Sequence, residues 1–325
     1  MNHAPIHPHS FERFIGIDVA KRSLMVFDGY SKVTLEIAND RKAIKKLLGT
    51  LEPSRCLIIC EATGGYEGTL IEAAWQAGVA IHRADARKVK AFIRSMGTQG
   101  KTDSIDARAL AFYGRERAYM LPLCGPSDKK RVLLQSLVNR RSDLITMRVA
   151  ETNRLKAPMP KEVEKQLGKT MKQHIAALNK MIADIEEAIL ATIGQCEDLT
   201  KQNRILQTIP GIGPTTAANL LALVPELGLL NRRQIASLAG LAPHPRQSGK
   251  QDRYRRVSGG RQDVKRALFM AALTAARSKT NLAGFAKRLR ENGKKPIVAI
   301  TALMRKIITI ANAKIRDHII LNQLS

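Results

Sequence analysis

The amino-terminal part of the chain sets short apolar runs between turn residues and helical stretches, and that alternation leaves few folds open. FIGIDVA (14–20), LMVFDGY (24–30) and VTLEIA (33–38), separated by Gly, Lys or Ser, predict three successive strands. Asn39-Asp40 then reads as a helix start ahead of RKAIKKLLGTL. A fourth run, RCLIICEA (55–62), lies between Pro53 and Gly64-Gly65. A helical stretch from Tyr66 ends at Gly78 and leads into VAIHRADA (79–86). Strands interleaved with helices in this way predict a mixed α/β sheet.

The pattern then changes. Asp128 to Lys156 is helical, ended by Pro158 and Pro160, and a second helix runs from Lys161 to about Ile193. Its apolar positions, Val163, Leu167, Met171, Ile175, Leu178, Ile182, Ile185 and Ile189, step by threes and fours. Two long helices with one narrow stripe predict an antiparallel hairpin or coiled coil used in assembly; the plainer alternative is a bundle within one chain. Further on, IPGIGPTTAANLLALV (209–224) reads as a glycine turn opening a helix, and QIASLAGLAP (234–243) as a short helix. A basic loop from His244 to Arg261 precedes helices near 262–278 and 296–316. The predicted organisation is a mixed-sheet domain over 1–125, a helical coiled-coil assembly region over 126–200 and a mainly helical, basic domain over 201–325.

Charge points to the partner. The 325 residues hold 54 Lys and Arg against 28 Asp and Glu, a net charge of +26, and the three segments carry +5, +3 and +18. Such an excess calls for a polyanion, and nucleic acid is the obvious one. A hydrophobic fraction of 44% excludes a wholly disordered basic tail, and 4% aromatics argue against a ring-stacking platform for single strands. The greasy stretch from Ile297 to Ile310 is interrupted by Arg305 and Lys306, so no membrane span is expected. MNHAPIHPHS has no apolar core of the secretory kind, and the four cysteines form no C-x-x-C pair. Disulfides and a zinc knuckle are therefore not expected, and a reducing cytoplasm is the expected location. His3, His7 and His9 sit in the polar leader without metal-ligand spacing, while Cys56 and Cys60 read as core residues.

Four carboxylates stand out. Asp18 interrupts the apolar run IGIDVA on the face of Phe14 and Gly16, and Glu61 ends CLIICE. A carboxylate in a core-type strand is costly unless paired or bound to metal. Asp103 and Asp106, in KTDSIDARALAFYG, stand three apart on one helix face. Two strand carboxylates and such a helix pair can surround two divalent cations about 4 Å apart, with hard oxygen donors suited to Mg²⁺ or Mn²⁺. Taken singly, Asp103 reads equally well as a helix cap and Glu61 as a surface ion pair.

This Asp-Glu-Asp-Asp set resembles the RNase H-like nuclease fold in its RuvC-like, junction-resolving form. More closely, GIDVAK (16–21), CEATGGY (60–66) and KTDSIDARALA (101–111) resemble the DEDD transposases of the insertion sequence 110 family. The likeness continues through PGIGPTTA (210–217), LAGLAPHPRQSGK (238–250) and GGRQDVKRALFMAAL (259–273). It implies a recombinase of a bacterial mobile element, acting on donor and target double-stranded DNA and guided by a structured RNA.

In LAPHPRQSGKQDRYRRVSGGR, Ser248 lies among Arg246, Lys250, Arg253, Arg255 and Arg256. A hydroxyl is a weak nucleophile unaided, and guanidinium groups and metal ions stabilise the charge that develops on a phosphoryl group under attack. Ser258 and Tyr254 are alternative nucleophiles, and a loop that only grips phosphate is the plainest reading. The family resemblance implies Ser248, a covalent phosphoserine intermediate, and a composite site in a homo-oligomer, dimer or tetramer, in which the serine meets another subunit's carboxylates. Gly211 and Gly213 in PGIGP offer backbone N–H groups to phosphate, or are simple turn punctuation. Arg261, Lys265 and Arg266 are further candidate backbone contacts. A junction endonuclease using water and a non-catalytic nucleic-acid-binding scaffold are the alternative functions.

Overall fold

The computed structural model of the chain describes residues 11–96, 103–125, 128–248 and 251–324, with 103–105, 244–248, 251–256 and 323–324 described by backbone alone. Two compact units divide the chain, residues 1–127 and 128–325.

In the first unit, strands β1 (Arg13–Val19), β2 (Ser23–Asp28), β3 (Thr34–Ala38), β4 (Cys56–Glu61) and β5 (Ala80–Ala84) form one sheet in the order β3-β2-β1-β4-β5. The first three strands pair antiparallel; β1, β4 and β5 run parallel. Parallel strands are covered on both faces, which is why CLIIC is apolar throughout and wholly buried. Ile15, Ile17, Ile58 and Cys60 pack beneath Ile44 and Leu48 of α1 (Arg41–Leu48) and Leu70 and Ala74 of α2 (Gly68–Gln76). On the opposite face Leu57 and Ile59 meet Val89 of α3 (Ala86–Ser95) and Leu110 and Tyr113 of α4 (Asp103–Arg117). The sequence-predicted helix start at Asn39-Asp40 holds: the Asp40 side chain accepts from the Ala43 N–H, 2.8 Å away, as the N-cap of α1. Cys56 and Cys60 are buried thiols, and burial pushes Cys60 up to about 12.

The second unit is helical. Its helices are α5 (Lys129–Lys156), α6 (Lys161–Gly194), α7 (Glu197–Gln207), α8 (Pro214–Leu223) and α9 (Arg232–Leu238), followed by α10 (Gln262–Ala276), α11 (Asn281–Glu291) and α12 (Pro296–Leu324). Between α9 and α10, where the composition predicts a loop, β6 (Pro243–Ser248) and β7 (Gln251–Val257) form an antiparallel ribbon. The 34-residue α6 is about 50 Å long. Its stripe is buried unevenly. Leu178, Ile182 and Ile189 are covered, whereas Val163 and Leu167 near the hairpin tip are exposed. The hairpin's base contributes Leu134, Val138, Ile189 and Ile193 to the same core as α7–α12. That shared core makes one unit of the stretches the sequence separates at residue 200.

Helix α12 is long and apolar enough, by length and composition, to cross a membrane. The charges at Arg305 and Lys306 therefore do not by themselves exclude it on sequence grounds. In the structure its Leu303, Ile307, Ile308, Ala311 and Ile315 lie in the core of the second unit. Asn312, also buried, donates to the Leu230 carbonyl and accepts from the Gly228 N–H.

Candidate active site

β1 and β4 pair in register from Arg13/Cys56 to Ile17/Cys60, so the next residue on each strand is a carboxylate, Asp18 or Glu61. Both are half-buried. Alternation puts them on the face covered by α4, since Ile17 and Cys60 belong to the opposite layer.

Helix α4 approaches that face unusually closely. A Cβ built on Gly16 would lie 1.9 Å from the Ala107 carbonyl oxygen and 2.5 Å from the Ala111 nitrogen. No side chain fits there, and glycine lets the helix backbone rest on the strand. Further along, a Cβ on Gly114 would meet Phe14 and Ile59 side chains. Residue 107 thus lies near residue 16 and residue 114 near residue 14, so α4 runs antiparallel to β1. One more turn of helix and two more residues of strand each advance about 6 Å. The first turn of α4, with Asp103 and Asp106, therefore overlies the strand end that carries Asp18. The Asp106 side chain is half-buried; that of Asp103 lies outside the described residues. Among the described residues, no three Asp, Glu, His or Cys side chains group closely enough to hold a metal ion. The donor set itself, all carboxylate oxygen, fits a hard divalent cation.

Two residues that the sequence reading passed over organise the loops beyond these strand ends. Glu67, 3% exposed, accepts hydrogen bonds from the Thr63 N–H (3.3 Å), the Thr63 hydroxyl (3.1 Å) and the Gly65 N–H (2.9 Å), and pairs with Arg83 at 3.5 Å. Burial pushes its carboxyl up, but the backbone and Thr63 donors outweigh that and hold it below the usual range. Asn39 Nδ2 donates to the Ala20 carbonyl (2.9 Å) and the Tyr66 carbonyl (3.1 Å). The only signal available in the sequence is an acidic residue closing a Gly-Gly turn.

Ser248 ends β6, and pairs with Gln251 across the ribbon. Arg246 pairs with Arg253, and Gln247 with Asp252. His244 pairs with Arg256, and the register shifts between that pair and Arg246/Arg253, so simple alternation does not carry through β7. The side chains of 244–248 and 251–256, and all of Gly249 and Lys250, lie outside the described residues. The carboxylates belong to the first unit and Ser248 to the second.

Other candidate contacts have structural partners. Arg261 grips the Glu226 carboxylate with both guanidinium nitrogens, at 2.6 and 2.7 Å, and donates to the Leu223 carbonyl at 2.7 Å. Arg266 pairs with Asp263 at 2.7 Å, and Lys265 is half-buried. Gly211, at φ 90°, is needed where the turn rests on α10: an added Cβ would sit 2.2 Å from the Ala271 carbonyl oxygen. Gly213 faces open space as the N-cap of α8.

The strand order, the carboxylates ending two central strands and the acidic first turn of the covering helix define an RNase H-like domain of the DEDD nuclease class. A transposase family model of the DEDD insertion sequence 110 type matches residues 15–161, and one described as the transposase IS116/IS110/IS902 family matches residues 203–287. The chain belongs to the insertion sequence 110 family of transposases, enzymes that cleave and rejoin DNA. It is 27% identical to the pilin gene-inverting protein of Moraxella lacunata over 94% of this chain and 96% of that protein. It is 24% identical to the insertion element IS116 uncharacterized 44.8 kDa protein of Streptomyces clavuligerus, covering 94% of each. A partial likeness, 30% identity over 44% of this chain and 38% of the relative, links it to the IS900 uncharacterized 42 kDa protein of Mycobacterium paratuberculosis.

Proposed function

We propose that this chain is a site-specific recombinase in which Asp18, Glu61, Asp103 and Asp106 hold Mg²⁺ or Mn²⁺ and Ser248 attacks the DNA. The observation that carries the reading is the juxtaposition of Asp18 and Glu61 at adjacent parallel strand ends beneath the first turn of α4. When bound there, the cation supplies charge neutralisation and polarisation at the scissile phosphate.

The serine oxygen bonds to phosphorus as a bridging DNA oxygen leaves as a free hydroxyl. Attack by a hydroxyl of the new partner strand restores the phosphodiester and releases the serine. Bond energy is conserved, so no nucleotide is consumed, and the sequence has no Walker-type phosphate loop. Arg246, Arg253, Arg255 and Arg256, close to Ser248 in the sequence, fit the role of neutralising phosphate. The gene-inverting relative is named for a rearrangement that the same cutting and rejoining would produce.

Guidance by a structured RNA, which would transfer base recognition from protein to pairing, is part of this reading by family resemblance. So is assembly as a homo-oligomer. Exposed apolar side chains along the hairpin, among them Val132, Met147, Val149, Leu167 and Met181, support a further copy as partner.

The test is to trap protein on labelled donor DNA with its RNA and Mg²⁺ and map the attachment by mass spectrometry. Attachment at Ser248, lost in Ser248→Ala and on chelation, is the expected result. Undiminished cleavage by Ser248→Ala would turn the reading toward water as nucleophile.

A further inference from the structure

Glu67 and Asn39 lie outside the Asp-Glu-Asp-Asp set, yet both act on the backbone that leaves it. Glu67 is a carboxylate turned inward. One of its oxygens accepts from Thr63 N–H, Thr63 Oγ1 and Gly65 N–H, and the other faces Arg83 of β5. An oxygen so saturated with donors is a poor metal ligand. Its partners are the residues two to four positions after Glu61, where Gly64 (φ 79°) and Gly65 (φ 115°) turn the chain. Asn39 joins this loop to the other strand's exit, because its amide nitrogen meets both the Ala20 and the Tyr66 carbonyls. Two carbonyl acceptors require the amide donor there, which fixes the orientation of the side chain. Its Oδ1 is then buried without a hydrogen-bond partner in the structure.

We propose that Glu67 and Asn39 are positioning residues: a brace that ties the loops following Asp18 and Glu61 and thereby sets the spacing of the carboxylates that hold the divalent cation. The inference rests on the carboxylate reading above. Groups that orient metal ligands typically change metal affinity ten- to a hundredfold when removed.

The test measures Mn²⁺ binding to the full-length chain by electron paramagnetic resonance, with a DNA duplex present, and the Mg²⁺ dependence of DNA cleavage. Thermal unfolding followed through Trp75 monitors the fold. In Glu67→Ala and Asn39→Ala the Mn²⁺ dissociation constant and the Mg²⁺ concentration for half-maximal cleavage rise roughly tenfold or more. Glu67→Gln, which retains an acceptor for Thr63 and Gly65 and loses the Arg83 pair, shows a smaller rise; Glu61→Gln abolishes binding. Loss of binding in Glu61→Gln with wild-type Mn²⁺ affinity in folded Glu67→Gln and Asn39→Ala overturns the brace alone. Glu67→Gln as severe as Glu61→Gln would make Glu67 a ligand and overturn the positioning role. Wild-type protein that takes up no Mn²⁺, or Glu61→Gln that binds it normally, overturns the carboxylate reading and the brace with it.

Discussion

Replacing Gly16 with alanine adds one methyl group at the tightest approach between α4 and β1. The new Cβ would lie 1.9 Å from the Ala107 carbonyl oxygen, so the helix must retreat by about 1.5 Å to restore an ordinary contact. Overpacking typically costs 1–3 kcal/mol, and a clash between backbone atoms, which cannot be relieved by a rotamer change, belongs at about 3 kcal/mol. The single tryptophan, Trp75 on α2, reports on the first unit alone. With a urea slope of about 1–3 kcal/mol per molar, the unfolding midpoint seen by Trp75 fluorescence should fall by roughly 1–3 M. Because the same retreat displaces Asp106, DNA cleavage by the folded fraction should fall on the order of a hundredfold. A Gly16→Ala protein with wild-type midpoint and cleavage rate would refute the inferred packing of α4 and the site built on it.

The remaining predictions use other observations. Arg261→Ala should lower the unfolding temperature of the second unit while leaving the salt dependence of DNA binding unchanged, since its guanidinium is engaged by Glu226. Arg253→Ala, by contrast, should reduce the slope of log affinity against log salt by about 1. Burial pushes the Asp28 carboxyl up, but hydrogen bonds from Arg13, Ser31 and the Tyr30 N–H prevail and lower it. Its stabilising contribution is thus complete above the unfolded-state value near 3.9 and lost as pH falls through the folded value. Asp28→Asn should flatten the acid limb of the Trp75 stability profile. Leu167→Glu, at an exposed position of the α6 stripe, should lower the oligomer mass seen by analytical ultracentrifugation without changing helix content.

Much of the first unit was legible because its strands are short, apolar and punctuated, and Asp40 marks its helix start. Asp18 and Glu61 were legible for the same reason, as charges in runs that otherwise suit a core. Helices α7 and α11 were not anticipated: EDLTKQNRILQ and NLAGFAKRLRE are short and polar, and their few apolar residues gain meaning only against α8, α10 and α12. In the sequence the ribbon reads as a loop because arginines dominate it. Ser-Gly-Lys-Gln, with a Gly-led pair between two potential strands, was the overlooked signal. Arg261 carried the opposite lesson. A cation in a basic segment suits phosphate by composition, and only the fold reveals Glu226 beside it.

The pairing of Ser248 with Gln251 has an evolutionary corollary. In a two-stranded ribbon, removing one residue shifts every later side chain to the opposite surface. A single deletion within β6 would move position 248 to the opposite surface unless a bulge, such as the irregularity between His244 and Arg246, absorbed it. Natural length variation in this segment should therefore proceed by even increments, or be accompanied by a compensating kink.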